Sequence, residues 1–307
     1  MSIFPTKILL ATDGSQDAEL AATTAVALAK ATGSELHVAT VFPGPAYVHP
    51  YYETHFPEAA ERLRRETRKE RQEVLDERVE RIREAGGSVA QMHIREGEAD
   101  AEIVNLAQEL GAGLIALGSR GLGGVRRVLM GDISDSVVRH AHCPVMVVRG
   151  EPVVFPTKIL VATDSSREAE LAASTAADLA NGTDSELHVI HVGEERPAYL
   201  AQTEEEPSDL RREARRRLDE EARRVEEEGG TVEEAHLRQG RADEEIVELA
   251  ESLGIGMIVM GSRGHGRIRR ALMGSVSDSV VRHAHCPVTV VREWEESATS
   301  HSGLHVG

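Results

Sequence analysis

The sequence predicts an α/β protein of two similar domains, each built on a parallel β-sheet with helices on both faces. The first reason is an internal repeat, because FPTKILLATDGS at residues 4–15 returns as FPTKILVATDSS at residues 155–166. The second reason is that short apolar runs alternate with segments of helical periodicity, a pattern typical of strands joined by crossover helices. Copies of roughly 150 residues are the size of domains and too long for solenoid repeats. The expected divisions are domains at 1–150 and 151–292 and a polar tail at 293–307.

The first repeat begins with the apolar run Lys7–Thr12, which is expected of a strand buried on both faces. Ser15 can cap the helix that follows, and Gly33 can end it. A long charged helix closes at Gly86, and its expected inner stripe is Leu63, Thr67, Val74, Val79 and Ile82. The remaining expected elements are strands Leu36–Val41 and Val89–Ile94, helix Ala99–Leu110, strand Leu114–Leu117, helix Asp132–His140 and strand Val145–Val148.

The second repeat predicts the same succession, because its apolar runs and helix starts recur in the same order. Its expected strands are Lys158–Thr163, Leu187–Val192, Val232–Leu237, Met257–Met260 and Val288–Val291. Its expected helices are Glu168–Ala180, Ser208–Glu228, Glu244–Leu253 and Ser275–His283. Five strands connected in this way require a parallel sheet with right-handed crossovers in each domain.

The composition limits the classes of partner. The net charge of −17 argues against a nucleic-acid-binding surface, which needs a concentration of basic residues. No apolar run approaches the length of a membrane span and no secretory signal opens the chain, so we expect a cytoplasmic protein with no membrane contact. Cys143 and Cys286 occupy equivalent places in the two repeats, which makes a disulfide within one repeat impossible. Both are interpreted as small buried apolar residues.

Residues suited to ligand binding follow the strands at one edge of each expected sheet. In open parallel sheets, ligands bind beyond the carboxyl ends of the strands, near the point where the winding reverses. Asp13 and Asp164 follow the first strands, and Val41 and Val192 end the second strands. Glycine-rich loops follow the fourth strands. This convergence predicts a binding site at the carboxyl edge of each domain.

The loop after the fourth strand of the second repeat is suited to binding an anion. Glycines at 261 and 264 allow close approach of backbone amides to a ligand, and Gly274-Ser275 follows at the start of a helix. A helix start supplies free N–H groups and a partial positive charge, and Arg263 can add charge-assisted bonds to a phosphate. Asp164 can accept hydrogen bonds from a ribose, as acidic residues do in doubly wound nucleotide sites. A nucleotide is therefore the expected ligand.

At these residues the chain resembles the universal stress protein family, over about residues 3–292. The family's nucleotide signature is G-x2-G-x9-G-[ST], and it is satisfied by Gly261, Gly264, Gly274 and Ser275. The resemblance implies Rossmann-like domains of the adenine nucleotide alpha hydrolase-like type, each a five-stranded parallel sheet of strand order 3-2-1-4-5. It also implies that the expected ligand is ATP, ADP or AMP, with Mg²⁺ beside the phosphates. In that arrangement Asp164 lies near the ribose and the Val192 backbone contacts the adenine.

The resemblance assigns two sets of candidate nucleotide-binding residues. In the second repeat they are Asp164, Val192, Gly261, Ser262, Arg263, Gly264, Gly266, Gly274, Ser275, Val276 and Ser277. In the first repeat they are Asp13, Val41, Gly118, Arg120, Gly121, Gly123, Gly131 and Asp132. The first set departs from the family pattern, because Asp132 stands where the pattern has serine or threonine. The second repeat is therefore the stronger candidate.

Two other nucleotide-binding classes are excluded by their motifs. A nicotinamide dehydrogenase needs G-x-G-x-x-G directly after the first strand, where this chain has Asp-Gly-Ser or Asp-Ser-Ser. A P-loop NTPase needs G-x4-G-K-[ST], which the sequence does not contain. The resemblance to the universal stress protein family implies a nucleotide-dependent regulator of the stress response. The alternative left open is a nucleotide-free adaptor that works through unidentified protein partners.

The sequence indicates no catalytic residue and no dedicated metal site. No base is placed to activate water, so any ATP hydrolysis is expected to be slow. His140 and His142, with His283 and His285 in the second repeat, suggest metal ligands at first sight. Alternate residues at a helix end do not share one face, however, and no second ligand group follows at the spacing of a zinc site.

The two domains are expected to pack against each other. Only residues 150–154 separate the last strand of the first repeat from the first strand of the second. Each domain also ends in an apolar strand near a sheet edge that would otherwise be exposed. We therefore expect an internal pseudo-twofold pair of repeats. Association of whole chains into a homodimer is left open.

Overall fold

The computed structural model of the chain describes residues 3–43, 54–121, 130–155, 157–193, 208–264 and 273–293. The first repeat contains five strands, β1 (Lys7–Ala11), β2 (Glu35–Phe42), β3 (Gln91–Glu96), β4 (Leu114–Gly118) and β5 (Val145–Val148). Its helices are α1 (Gln16–Thr32), α2 (Pro57–Glu84), α3 (Ala99–Leu110) and α4 (Asp132–His140). Strands and helices alternate along the chain, as the apolar periodicity predicts.

The second repeat follows the same course. Its strands are β6 (Lys158–Thr163), β7 (Glu186–Gly193), β8 (Val232–Gln239), β9 (Met257–Gly261) and β10 (Val288–Val291). Its helices are α5 (Arg167–Thr183), α6 (Ser208–Glu227), α7 (Ala242–Leu253) and α8 (Ser275–His283). None of the helices in the described ranges combines the length and the apolar character of a membrane span.

The ten strands form one sheet in the order β3-β2-β1-β4-β5-β10-β9-β6-β7-β8. Each half therefore has the expected order 3-2-1-4-5, and the strands within each half run parallel. The halves join where β5 pairs antiparallel with β10, with Val147 opposite Val288 and Val145 opposite Val290. The last strands of the two repeats thus cover each other's edges, as expected. Because the strands reverse direction at this join, the carboxyl ends of the two halves point to opposite edges of the sheet.

A hydrophobic core lies on each face of the sheet, and each core is continuous across the join. One contains residues from α1, α2, α5 and α6, and the other contains residues from α3, α4, α7 and α8. Direct hydrogen bonds also cross between the repeats. The Val153 amide donates to Thr24 Oγ1 at 3.2 Å, and the Ile3 amide donates to Asp178 Oδ2 at 2.8 Å. The two repeats therefore share their cores.

The expected inner stripe of α2 is wrong in its first half. Leu63 is 49% exposed, whereas Leu75, which was not expected in the stripe, is fully buried with Val79 and Ile82. Successive helix residues are separated by about 100°, so Leu75, Val79 and Ile82 share one side of α2. Twelve residues place Leu63 about 120° away from Leu75 around the axis. Because α2 packs on the sheet through the side that carries Leu75, Val79 and Ile82, Leu63 faces solvent.

Candidate functional site

A cavity of about 700 Å³ lies at the carboxyl edge of the sheet in the first repeat. Its walls come from the ends of β1, β2 and β4 and from the loop that leads into α4. They include every candidate residue of the first repeat that the structure describes, namely Asp13, Val41, Gly118, Arg120, Gly121, Gly131 and Asp132. Gly123 lies outside the described residues, as does Gly266 in the second repeat. The structure therefore brings together residues that are more than 100 positions apart in the sequence.

The cavity also contains residues that the sequence analysis missed. Apolar walls come from Ala39, Ile103 and Met130, and α2 contributes the cation Arg71. Arg71 is half-buried, on a helix whose other arginines mostly face solvent. No local signal distinguishes it from its neighbours, because only the packing of α2 on the sheet selects which arginine faces the cavity. The cavity is thus lined by both apolar and charged side chains.

Asp13 and Asp164 are held in the same way at the ends of β1 and β6. The amide of Ser15 donates to Asp13 Oδ1 at 2.9 Å, and the amide of Ser166 donates to Asp164 Oδ1 at 3.0 Å. These turns direct the second carboxylate oxygen towards the glycine loop of the same repeat. A Cβ atom added to Gly121 would lie 2.5 Å from Asp13 Oδ2, and one added to Gly264 would collide with Asp164 Oδ2. Only glycine lets the loop approach the carboxylate this closely.

The turn after β6 holds a serine in a strained conformation. Ser165 has a φ of +65°, in the left-handed region, where the first repeat has Gly14 at +86°. The amide at this position donates to the preceding threonine, Thr12 Oγ1 at 3.3 Å or Thr163 Oγ1 at 3.2 Å. A non-glycine residue in this region has a cost that the surrounding structure must offset. The turn geometry is therefore imposed by its surroundings, since it is the same with either residue.

Buried serines fix the start of the fourth helix in each repeat to the glycine loop. In the second repeat, Ser277 Oγ donates to the carbonyls of Ser262 at 2.6 Å and Gly274 at 3.0 Å. The Gly274 amide donates to the same Ser262 carbonyl at 2.8 Å. Ser134 makes the corresponding bonds in the first repeat. The hydroxyl of Ser277, a candidate ligand-binding residue, is thus directed at the backbone and shapes the loop.

Arg263 is held by an acidic residue from the first turn of α5. Glu168, which is 7% exposed, accepts hydrogen bonds from Arg263 Nε at 3.1 Å and from Nη2 at 2.6 Å. It also accepts from the Arg263 amide at 2.7 Å and from Ser262 Oγ at 2.6 Å. The candidate cation of this loop is therefore already paired, and the candidate Ser262 serves to position Glu168.

The corresponding pair in the first repeat is looser. Asp17, one methylene shorter than Glu168, accepts from Ser119 Oγ at 2.7 Å and from Arg120 Nε at 3.3 Å. A single weak contact leaves the Arg120 guanidinium, which lines the cavity, closer to solvent than that of Arg263. Of the two loop arginines, Arg120 has more of its donor capacity available for an anion.

The helices α4 and α8 begin directly at the loops, with Gly131 and Gly274 as their N-cap residues. Neither N-cap makes a side-chain hydrogen bond to the first turn. Asp132 and Ser275 follow as the first helical residues, and both are exposed. The first N–H groups of a helix have no partner within the helix, and the helix dipole makes this end partly positive. Both helix starts therefore present anion-binding groups at the surface, one beside a carboxylate and one beside a hydroxyl.

The remaining candidates lie at the ends of strands or beside the core. Val41 pairs with Arg95 of β3, and Val192 pairs with Arg238 of β8, so both have their backbones within the sheet. Val276 packs against the core on the α8 side. Next to Val192, His191 Nδ1 lies 3.1 Å from the Thr163 carbonyl, and burial lowers the pKa of this histidine. A neutral His191 donates from Nδ1 to that carbonyl and so supports the end of β6 beneath Asp164.

Comparison with known proteins gives concordant results. A model of the universal stress protein family matches residues 5–149 and again residues 156–292. A universal stress protein of Mycobacterium tuberculosis is 31% identical over 191 residues, which is 59% of this chain and 62% of that protein. The alignment thus spans less than two thirds of that relative.

Solved structures extend the likeness to the fold. The crystal structure of a universal stress protein from Archaeoglobus fulgidus covers 96% of this chain and 98% of its own, with 26% identity and a TM-score of 0.67. A second Archaeoglobus fulgidus structure, of a universal stress protein in complex with dAMP, covers 45% of this chain with 26% identity and a TM-score of 0.36. The ligand named there describes that protein only.

Proposed function

The chain belongs to the universal stress protein family, and from this premise we propose that it binds an adenine nucleotide at the carboxyl edge of each half of its sheet. The nucleotide would be ATP, ADP or AMP, and binding would regulate the protein's part in the stress response. In the second repeat the proposal rests on Gly261, Gly264, Gly274 and Ser275. In the first repeat it rests on the cavity, whose walls include every described candidate residue although Asp132 replaces the serine or threonine of the family pattern.

The cavity is the observation that carries the proposal. Its volume of about 700 Å³ lies within the range of small-molecule sites, which is about 300–1,000 Å³. A nucleotide has an apolar base, a hydroxyl-bearing sugar and an anionic tail. The cavity offers apolar side chains such as Ile103, a carboxylate on Asp13, and Arg120 near the start of α4. Each part of the ligand therefore has a suitable partner within one space.

The residues present fit such a ligand in a specific way. Asp13 and Asp164 would accept hydrogen bonds from ribose hydroxyls, and the turn bonds to Oδ1 would hold each carboxylate in place. The loop glycines would bring backbone amides to the phosphates, and Gly121 and Gly264 are the positions where a Cβ would meet the carboxylate. A divalent cation such as Mg²⁺ would neutralise phosphate charge when bound. No catalytic residue is assigned, so the proposal concerns binding.

The test removes the two sites separately. Gly121→Ala and Gly264→Ala each place a methyl group against the aspartate of one repeat, at positions where the backbone is not left-handed. We expect calorimetric titration of nucleotide-free protein with ATP, ADP and AMP to show two sites in the wild type, one in each single variant and none in the double variant. Each single variant serves as the control for the other. Circular dichroism should show that all variants are folded.

The alternative is an adaptor without nucleotide. If the wild-type protein releases no heat with ATP, ADP or AMP, and no nucleotide copurifies with it, the adaptor is the better account. If nucleotide binds but both glycine variants bind it unchanged, the ligand lies elsewhere and the proposed site is wrong.

A further inference from the structure

Two histidines face each other across neighbouring strands in the second repeat, before the carboxyl ends of those strands. His188 lies on β7, which carries the candidate Val192 near its carboxyl end, and His236 lies on the neighbouring strand β8. In the sheet register His188 is opposite Glu234, and Ile190 is opposite His236. Because side chains alternate along a strand, His188, Glu234 and His236 lie on one face of the sheet.

The three side chains are close enough to share one ion. His188 Nδ1 lies 3.3 Å from His236 Nε2, and the rings are stacked with their centres 5.5 Å apart. One ligand atom from each of His188, Glu234 and His236 lies within 4.8 Å of the other two. Ligands about 2.0–2.2 Å from a tetrahedral zinc ion lie about 3.3–3.6 Å apart. The two histidine nitrogens, 3.3 Å apart, match this separation, and the exposed Glu234 side chain must rotate to complete the set.

The burial of His188 and His236 supports a role for them in metal binding. The His188 side chain is 5% exposed and that of His236 is 11% exposed. His188 Nε2 is buried and makes no hydrogen bond. The nearest acid to it is Glu186, whose Oε2 lies 3.8 Å away. Metal-binding histidines commonly direct their second ring nitrogen to a carboxylate, which orients the ring and increases its basicity. Glu186 is placed to orient the His188 ring through Nε2, while His188 Nδ1 faces His236 Nε2.

We propose that His188, Glu234 and His236 form a binding site for a divalent transition-metal ion, with Zn²⁺ as the ion it fits best. Imidazole nitrogens with one carboxylate suit Zn²⁺ better than Mg²⁺ or Ca²⁺, which prefer oxygen ligands only. Three protein ligands leave a fourth position for water. The site joins β7 to the edge strand β8, so bound metal would hold that edge. These ligands are separate from the His140 and His283 stretches considered in the sequence.

The first repeat provides a natural control. His37 and His93 are the counterparts of the two histidines, with His37 Nδ1 3.1 Å from His93 Nε2. Glu35 Oε2 lies 3.5 Å from His37 Nε2, and it corresponds to Glu186, whose Oε2 lies 3.8 Å from His188 Nε2 in the second repeat. Opposite His37, however, stands Gln91 in place of Glu234. The first repeat therefore has the histidine pair and the orienting acid but lacks the carboxylate ligand.

The experiment titrates metal-free full-length protein with ZnCl₂ in a calorimeter. We expect one site in the wild type. Glu234→Gln is the decisive variant, because this side chain is 63% exposed and its replacement leaves the core intact. Loss of an orienting residue alone costs roughly 10–100-fold in metal affinity, so loss of a direct ligand should weaken binding by at least that factor. Glu186→Gln should weaken it within that range.

The converse variant is Gln91→Glu, which supplies the missing carboxylate to the first repeat. We expect it to raise the stoichiometry from one to two. His93→Asn is the matched control and should leave wild-type Zn²⁺ binding unchanged. The proposal is overturned if the wild type binds no Zn²⁺, if Glu234→Gln binds as the wild type does, or if Gln91→Glu leaves the stoichiometry at one.

Discussion

At the scale of single residues, the main difference between the two candidate sites is one side chain at a helix start. Asp132 begins α4 and lines the cavity, while Ser275 begins α8 at the equivalent place. A hydroxyl can donate to a phosphate, whereas an ionised carboxylate can only accept. Two like charges about 4 Å apart repel by about 1 kcal/mol in water and about 4 kcal/mol at an effective dielectric constant of 20. The carboxylate should therefore disfavour an anion.

We predict that Asp132→Ser strengthens nucleotide binding in the first repeat by some tens-fold, since about 1.4 kcal/mol is a factor of ten. Ser275→Asp should weaken the second site by a similar factor. Calorimetry with and without Mg²⁺ measures both effects, and the gain from Asp132→Ser should be smaller with Mg²⁺ because Asp132 can then contact the cation. Unchanged affinity in both variants would show that this position does not face the phosphates.

At the same scale, the expectation of two buried cysteines is confirmed for Cys286 and is wrong for Cys143, which is only partly buried. Burial raises the pKa of Cys143 and of Cys286 to about 12. Reaction with disulfide reagents requires the thiolate, which is then nearly absent at neutral pH. We predict that neither thiol reacts with such a reagent at pH 8 in the native protein and that both react at once in denaturant.

The raised pKa values also predict how the free energy of unfolding changes with pH. Above a pH of about 9 an unfolded thiol ionises while the buried thiol stays protonated, so this contribution to the free energy of unfolding should fall as pH rises from 9 towards 12. Fast labelling of the native protein at pH 8 would contradict both expectations, because it would show that the thiols are accessible and ionised.

At the scale of elements, each first helix begins with a serine that serves both the helix and the site. Ser15 Oγ accepts from the Ala18 amide at 3.2 Å and lies 3.2 Å from the Arg120 carbonyl, to which it donates. Ser166 makes the corresponding cap in the second repeat, with its contact to the Arg263 carbonyl at 3.5 Å. The start of the helix is thereby connected to the glycine loop.

We predict that Ser15→Ala lowers the free energy of unfolding by about 1 kcal/mol, as expected for loss of an N-cap. It should also weaken nucleotide binding in the first repeat, because the loop loses a contact. Thr23→Ala, at an exposed position within the same helix, is the control and should change stability by less than about 0.5 kcal/mol. Urea denaturation measures the free energy of unfolding of both variants. Equal losses in Ser15→Ala and Thr23→Ala would argue against the cap.

Helices and strands are the part of the structure that the sequence predicts best. The predicted spans Ala99–Leu110, Asp132–His140 and Val145–Val148 agree with the structure, because continuous apolar runs and glycine ends are local signals. The sequence predicts the inward face of α2 less well, since only packing on the sheet decides between overlapping stripes. In the site, the glycines and Asp13 follow from motif and strand position. The pairing of Arg263 with Glu168 does not, because it joins residues 95 apart and depends on how α5 packs against the loop.

At the scale of the whole molecule, the repeats form one sheet through the antiparallel pair β5 and β10. Their cores are continuous on both faces. Glu151 and Pro152, which lie between the repeats, are exposed, while Val153 is buried and bonded to Thr24 of α1. The association of the repeats should therefore depend more on the β5–β10 pairing and the two shared cores than on the link between the repeats.

We predict that the chain divided between Glu151 and Pro152, with both parts produced together, yields a stable 1:1 complex. Native mass spectrometry and gel filtration at micromolar concentration measure the association. The complex should retain the same nucleotide stoichiometry as the intact chain. Separate elution of the two parts would show that the shared cores are too weak to hold the repeats together.

The antiparallel join has a consequence for how the protein responds to dilution. Two separate subunits paired through their last strands would come apart at low concentration, whereas here the partner is always supplied by the same chain. A short connection gives an effective concentration in the millimolar range. The β5–β10 pairing, and with it the shape of both sheet edges, should therefore be the same at a few copies per cell as at high abundance. A protein whose amount rises and falls would keep one unchanging architecture throughout.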